Sequence, residues 1–301
     1  MNTLEVKLNP NWVTGFIDGE GCFFVGVYKR KDYVNLSIRS DFMVKLHIRD
    51  LDILKQIQYF FNNVGNIHVY KTFAVYRVQN KKDLLNEVIP HFDNYPLITE
   101  KQNDFKIFKN ILNILEKTCS ASRKIDLIEI IRWKASLNKG LSKDLKTTYP
   151  YVIPIERPAN LPVVKIDPIW FAGFFSGEGS FYVTITKKLS YKLGYAPRIG
   201  INVGQHSRDK VLIHQFINLF GCGQVREYKN KNYVEFYVTN FHDITSKVIP
   251  FFKTYPIIGI KSLDFTDFCY IQGLIKDKAH LTKEGLLDIT IIMSKMNKGR
   301  Y

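Results

Sequence analysis

The spacing of apolar residues switches along this chain between a strand period and a helix period, and the switches come in the same order in both halves. In the first half, residues 22–28 and 36–46 show the every-second-residue pattern of half-buried strands, joined by the basic turn Lys29-Arg30-Lys31-Asp32. Leu51, Leu54, Ile57, Phe60 and Phe61 recur at helical spacing and predict an amphipathic helix over 50–62. After Gly65-Asn66, residues 67–71 and 73–79 read as a second strand pair. A helix is predicted at 82–92, ending near Tyr95-Pro96, with longer amphipathic helices at 101–115 and 124–137.

The series opens on Trp12-Val13-Thr14-Gly15-Phe16-Ile17-Asp18-Gly19-Glu20-Gly21, which returns as Trp170-Phe171-Ala172-Gly173-Phe174-Phe175-Ser176-Gly177-Glu178-Gly179. Asn9-Pro10 and Asp167-Pro168 place a capping side chain before a proline suited to the first helical position. Gly15 with Gly19, and Gly173 with Gly177, fall on one helical face, where missing side chains let two helix backbones approach closely. If the two copies pack face to face, Glu20 and Glu178 end side by side. Val88-Ile89-Pro90, Tyr95-Pro96, Lys101 and Asp104-Phe105 also recur, as Val248-Ile249-Pro250, Tyr255-Pro256, Lys261 and Asp264-Phe265. Arg49-Asp50 recurs as Arg208-Asp209, and Asn138-Lys139-Gly140 as Asn297-Lys298-Gly299. The expected architecture is α+β: two α-β-β-α-β-β-α repeats, each with an antiparallel four-stranded sheet and extra C-terminal helices. The proline-spaced stretch 143–165 reads as a linker between domains 1–142 and 166–301.

Composition narrows the class of partner. A formal charge of +15 and a pI near 9.5 favour a polyanion, nucleic acid ahead of an acidic membrane surface. With 46% hydrophobic residues, disorder is not the overall class. No apolar run reaches the ~18 residues of a membrane span. The opening Met-Asn-Thr-Leu-Glu-Val-Lys-Leu reads as neither a signal peptide nor an Arg-rich transit peptide. Cys22, Cys119, Cys222 and Cys269 lack metal-ligand or disulfide-framework spacing, which points to a reduced compartment. The seven histidines form no i,i+4 ligand pair.

The paired decapeptides, with Glu in register and the same strand and helix order after each, resemble the LAGLIDADG homing endonucleases in their single-chain, two-repeat form. Leu137-Asn138-Lys139-Gly140 and Met296-Asn297-Lys298-Gly299-Arg300 look like the closing elements of the I-OnuI-like branch from fungal organellar introns. The resemblance implies a pseudo-twofold fold in which two four-stranded sheets form a DNA-gripping saddle. It implies that the motif helices form the domain interface, and that Glu20 and Glu178, with the carbonyls of Gly19 and Gly177, bind divalent metal at the scissile phosphates. It assigns Lys101 and Lys261 as active-site lysines and Gln205 as a water-organising glutamine, a position occupied by Leu46 in the first half. The chemistry agrees: two carboxylates at a helix seam repel, a divalent cation removes that cost, and carboxylate with phosphate oxygens suits magnesium. Calcium is expected to support binding without cleavage.

Alternation then assigns the strand faces. Phe23, Val25, Val27, Phe181, Val183 and Ile185 should face the helices. The opposite face takes Phe24, Tyr28, Arg30, Arg39, Asp41, Met43, Lys45, His68, Tyr70, Arg77 and Gln79 in the first half. In the second it takes Ser180, Tyr182, Thr184, Thr186, Lys188, Arg198, Gly200, Asn202, Gln224, Arg226, Tyr228, Glu235 and Tyr237. Arg, Gln, Asn, Tyr and Thr are the residue types that read base edges in a major groove. Lysine-rich turns around Lys187-Lys188 and Lys229 suit phosphates.

The sequence thus predicts a monomeric, magnesium-dependent, site-specific double-strand DNA endonuclease. Its asymmetric target should be on the order of 20 base pairs, cut to leave 3′ overhangs as the family implies. Two alternatives stand beside it: a maturase that binds host intron RNA on the same scaffold, and a non-catalytic DNA-binding regulator. Retention of both Glu20 and Glu178 favours cleavage. Abundant Lys, Asn, Ile and Phe fit an AT-rich genome, and the family points to a mitochondrial, organelle-encoded protein.

Overall fold

The computed structural model describes residues 7–29, 36–120, 127–157 and 165–300. Helix α1 (Pro10–Glu20) leads into strands β1 (Gly21–Lys29) and β2 (Leu36–His47), and a 3₁₀ turn, Ile48–Asp50, starts α2 (Leu51–Phe60). Strands β3 (Asn66–Val69) and β4 (Phe73–Val78) precede a helical run of α3 (Lys81–Asp83), a π segment Leu84–Val88 and α4 (Ile89–Asn94). Helices α5 (Lys101–Ser120), α6 (Leu127–Ala135) and α7 (Lys143–Thr148) complete this half. The series recurs as α8 (Pro168–Glu178), β5 (Gly179–Lys187), β6 (Tyr195–His206), α9 (Lys210–Phe220), β7 (Gln224–Tyr228) and β8 (Tyr233–Val238). It continues through α10 (Phe241–Asp243), a π segment Ile244–Val248, α11 (Ile249–Thr254) and α12 (Lys261–Lys276), and closes on α13 (Lys283–Lys295). Both sheets are antiparallel, ordered β1-β2-β4-β3 and β5-β6-β8-β7. The expected α-β-β-α-β-β-α repeats are therefore present, pseudo-symmetric in element order.

The chain divides into two compact units, residues 1–10 with 20–162, and residues 11–19 with 163–301. Most of α1 thus belongs with the second unit, where it packs on α8. A Cβ on Gly15 would strike the Trp170 carbonyl and come within 2.9 Å of the Phe174 nitrogen; one on Gly173 would strike the Trp12 carbonyl. The two backbones therefore touch, which only glycine permits. The seam is polar on one side alone. Trp170 donates to the buried Asp18 at 2.9 Å, while Ser176, the counterpart of Asp18, turns its hydroxyl back to the Ala172 carbonyl. Trp12 Nε1 is buried without an acceptor among the described residues. Asp167 caps α8 as expected, accepting from Ile169 and Trp170.

Within each unit a sheet presses one face onto helices through phenylalanine. Phe23 on β1 meets Phe42, Phe92, Phe105 and Phe108 at ring-centroid distances of 5.3–5.5 Å, apart from contacts relayed through Phe42 and Phe61. In the second unit Phe181 meets Phe175, Phe252, Phe265 and Phe268 at 4.9–5.2 Å. The repeated Asn-Lys-Gly elements clamp these strands. Asn138 and Asn297 adopt left-handed backbone (φ 52° and 53°), which asparagine tolerates. Their amides donate to the Phe23 and Phe181 carbonyls at 2.7 and 2.9 Å, and their backbone N–H groups to the buried Asp104 and Asp264.

Two local features differ from the sequence reading. The helix expected at 82–92 contains a π turn, in which Ile89 N–H bonds the Leu84 carbonyl, and Ile249 repeats this with Ile244. Pro90 and Pro250 lack the N–H that would continue a regular helix, so the wider turn accommodates them. The segment read as linker carries α7, capped by Ser142 and anchored by buried Leu145. Beyond it the chain is pinned to the first unit: Ile155 N–H reaches the Arg132 carbonyl, Ser136 Oγ donates to the Ile155 carbonyl, and Arg157 bridges the Ser136 carbonyl and Asp104.

His91 sits where the second repeat has Phe251, its ring 5.0 Å from Phe60 and 4.7 Å from Phe92. Burial lowers its pKa to about 4. The unfolded chain takes up this proton near pH 6.5 and the folded chain only near 4, so native stability falls as pH drops through that window. We expect a loss of up to about 3 kcal/mol from this group, read by urea denaturation at pH 7 and pH 4.5, and abolished by His91→Phe. An unchanged pH slope in His91→Phe would contradict the assignment. A second comparison tests the helix seam. Gly173→Val should cost at least about 2 kcal/mol, because both obstacles are backbone. Gly273→Ala in α12, where an added Cβ meets nothing within 4 Å, should stabilise by about 0.5–1 kcal/mol.

Candidate functional site

Each motif helix ends on its glutamate: α1 at Glu20 and α8 at Glu178. Because the glycine rows face each other, the Glu178 side chain passes over Gly19, where a Cβ would lie 3.1 Å from its Cγ. Lys261, the first residue of α12, points its ammonium at the C-terminal end of α8 and donates to the Phe175 and Gly177 carbonyls at 3.0 and 2.8 Å. A cation at that end adds a donor to two terminal carbonyls, one of which also accepts the Gly179 N–H, and faces the negative end of the helix dipole. Lys101 starts α5 in the corresponding place, its N–H held by Thr99 Oγ1 at 3.1 Å. Its charge acts on half-buried Cys22, whose thiol pKa burial raises overall.

Gln205 ends β6, paired with Val234, half-buried and making no side-chain hydrogen bond among the described residues. Leu46, paired with Ala74 on β2, is buried. The asymmetry read from the sequence is thus present in the strands.

Strand register defines the outward faces. On the first sheet Phe24 stands opposite Asp41, Met43 opposite Arg77, and Lys45 opposite Val75. Lys45 lies over the Phe73 ring at 3.9 Å, and Tyr70 stacks on the other end of that row, 4.5 Å from Phe73. Tyr70 belongs to the turn after β3, one residue beyond the observed strand, which ends short of the 67–71 that alternation predicted. Tyr28 and His68 are exposed, Gln79 follows β4 directly, and Arg30 lies outside the described residues. On the second sheet Ser180 pairs with Asn202, Tyr182 with Gly200 and Thr184 with Arg198. Thr186 donates to the Ala196 carbonyl. Gln224, Arg226 and Tyr228 line β7 against Tyr237, Glu235 and Tyr233. Arg226 lies 4.9 Å from the Tyr237 ring, while Lys188 and Lys229 stand in the turns beyond β5 and β7.

Two of these positions differ from the expectation of direct display. Asp41 is on the outward face but only 1% exposed, covered by Arg39, whose Nε and Nη2 reach its carboxylate at 2.9 and 2.8 Å, and by Gln79 at 2.9 Å. Gly200 is buried because the Tyr182 ring lies flat across it; Gly26 underlies Tyr28 and Gly204 underlies Tyr233 in the same manner. Alternation gives a face, and it does not reveal which side chain lies beneath another.

Register also adds outward residues that the sequence reading missed: His47, Asn66 and Phe73 in the first unit, and Gly204, His206 and Tyr233 in the second. Tyr233 matters most. Burial, then Glu235, Tyr228 and Glu178, raise its phenol pKa, so it feels both the sheet surface and the helix-end carboxylate. The shared His-x-Arg-Asp pattern could have extended both strands by one residue. His47 and His206 accept from the Arg49 and Arg208 N–H groups and so start the 3₁₀ turns.

A duplicated fold with a helix-end glutamate, a following lysine and a polar sheet face in each repeat defines the class of protein. The model of the LAGLIDADG endonuclease family matches residues 13–112 and 171–272. The homing endonuclease I-SmaMI, bound to cleaved DNA, superposes with a TM-score of 0.94 at 38% identity, covering 98% of this chain and 99% of that one. I-GzeII in complex with its DNA target gives 0.91 at 39% identity, over 98% of this chain and 100% of its own. "Probable intron-encoded endonuclease 2" of Neurospora crassa is 37% identical over 93% of this chain, which spans 63% of that relative's length. This chain belongs to the LAGLIDADG endonuclease family.

Proposed function

We propose that this protein is a site-specific double-strand DNA endonuclease that uses divalent metal and leaves 3′ overhangs. The observation that carries the reading is the duplicated helix end: Glu178 lies against Gly19, next in sequence to Glu20, with Lys261 on the α8 carbonyls. The donor set fits a hard cation. Each repeat offers a carboxylate, and the Gly177 carbonyl has a second lone pair beside the one Lys261 uses. Among the described residues no three His, Cys, Asp or Glu cluster, so phosphate oxygens and water would complete the shell, as magnesium prefers. Glu20 and Glu178 would hold the cation with Gly19 and Gly177. Bound there, it would polarise the scissile phosphate and acidify a water. I-SmaMI has been solved with uncleaved DNA in the presence of calcium ions; we assign magnesium to cleavage here and calcium to binding alone.

The chain's own groups supply the rest. Lys261 and Lys101 carry positive charge to where negative charge develops. Gln205 can donate to and accept from a water, holding it in line for attack; Leu46 can do neither. The outward faces of the two sheets read the target, and the lysine-bearing turns position its backbone. We place the protein as a monomer in the I-OnuI-like branch, encoded in a mitochondrial intron. Splicing assistance through intron RNA would be an additional activity of the same basic surface, and no observation here favours it.

Two experiments test this reading. Glu20→Gln and Glu178→Gln should each abolish double-strand cleavage in magnesium while leaving band shifts in calcium within about threefold of wild type, since affinity resides in the sheets. Wild-type cleavage rates in both variants would overturn the catalytic assignment. On a supercoiled plasmid with one site, Gln205→Leu should slow one strand by about five- to thirtyfold, the value of one positioning hydrogen bond, and nicked circles should accumulate. Equal slowing of both strands would leave Gln205 as no more than a strand end.

A further inference from the structure

Each sheet carries a carboxylate engaged by side chains on its own face, Asp41 buried and Glu235 half-buried. In the first unit, Asp41 Oδ1 accepts from Gln79 Nε2 at 2.9 Å while Arg39 forks both oxygens. In the second, Glu235 Oε1 accepts from Asn202 Nδ2 at 2.6 Å. Its Oε2 accepts from the Tyr228 hydroxyl at 3.2 Å, and that hydroxyl accepts from Arg226. The two acids do not occupy equivalent positions: Asp41 corresponds to Gly200, and Glu235 to Val75. Yet both turn the amino arm of an outward-facing amide inward. A carboxylate only accepts, so the orientation of each amide follows from chemistry. The carbonyl oxygens of Gln79 and Asn202 are left with no donor among the described residues, and they belong to the outward face.

We infer that Asp41 and Glu235 are positioning residues for sequence reading, each locking an amide so that its carbonyl oxygen faces the DNA and selects a base bearing an amino group. The inference rests on the endonuclease reading. In the major groove adenine presents N6–H₂ and cytosine N4–H₂, whereas guanine and thymine present O6 and O4, which repel a carbonyl. A free glutamine or asparagine can rotate its amide and accept either class. One whose amino arm is held by a carboxylate cannot. Asp41 and Glu235 thereby convert two tolerant amides into discriminating ones, one per repeat, without touching the DNA. Arg39 keeps Nη1 for a neighbouring acceptor, so the first sheet offers a fixed donor beside a fixed acceptor.

The test starts from the wild-type target, found by selecting cleaved sites from a DNA library. Every single-base variant of that target is then assayed for binding in calcium and cleavage in magnesium. Wild type should prefer adenine or cytosine by about tenfold at one position in each half-site. In Asp41→Asn, the new amide can donate to Gln79 Oε1 and let Gln79 turn over. Its preference at one position should fall to within about twofold or invert towards guanine and thymine, with the other positions unchanged. Glu235→Gln should do the same at one position in the other half-site. Gln79→Leu should erase the first preference, and adding Asp41→Asn to it should change that position no further. This variant also keeps the test decisive if Asp41→Asn fails to fold. The inference is overturned if Asp41→Asn retains the wild-type profile, or if it loses discrimination evenly at every position. A wild-type chain with no sequence-selective binding or cleavage would instead overturn the endonuclease reading beneath it.

Discussion

The close crossing of α1 and α8 at Gly15 and Gly173 is the constraint on which the candidate site depends. Each glycine faces the backbone of the other helix, so the seam has no slack for a methyl group. That approach fixes where the two helices end, and each ends on its glutamate. Backbone contact is stiffer than side-chain packing, because neither partner can change rotamer to relieve a shift. The metal-binding role proposed for these carboxylates needs placement to a fraction of an ångström, which a glycine seam provides more reliably than interleaved leucines could.

Much of this was legible in the sequence, and the limits have physical causes. The helix and strand order followed from periodicity, since a 3.6-residue and a two-residue rhythm are hard to confuse over ten residues. The repeat in Asn138 and Asn297 was visible, but its purpose was not: a left-handed asparagine holding a strand carbonyl more than a hundred residues away leaves no local trace. Helix α7 was missed because six residues with one buried leucine carry no period. The sheet faces came out correctly by parity, whereas the covering of Asp41 by Arg39 and Gln79 depends on cross-strand register. Tyr233 was overlooked because its importance lies in its proximity to Glu178 rather than in its strand.

The two repeats share a backbone plan and differ in the polar details. Asp18 holds Trp170, while Ser176 ignores Trp12. His91 replaces Phe251, and Leu46 replaces Gln205. The carboxylate that orders each sheet surface arises from a different strand. Where the two motif-helix backbones meet, the halves match; the side chains that differ lie both in the core, as at Asp18, His91 and Leu46, and on the outward sheet faces. On the proposed reading, the outward differences fit the two sheets to dissimilar half-sites.

The membership of α1 in the second compact unit bears on how the chain is made. Trp12, Val13, Phe16 and Ile17 are buried, and the helix they belong to is translated before everything it packs on in the second unit. Its partner α8 follows about 150 residues later, which at roughly 5–20 residues per second is a delay of some 8–30 seconds. During that interval the glycine face of this apolar helix is without the α8 backbone it packs on. The seam therefore closes as a long-range contact, made only after α8 has been synthesised.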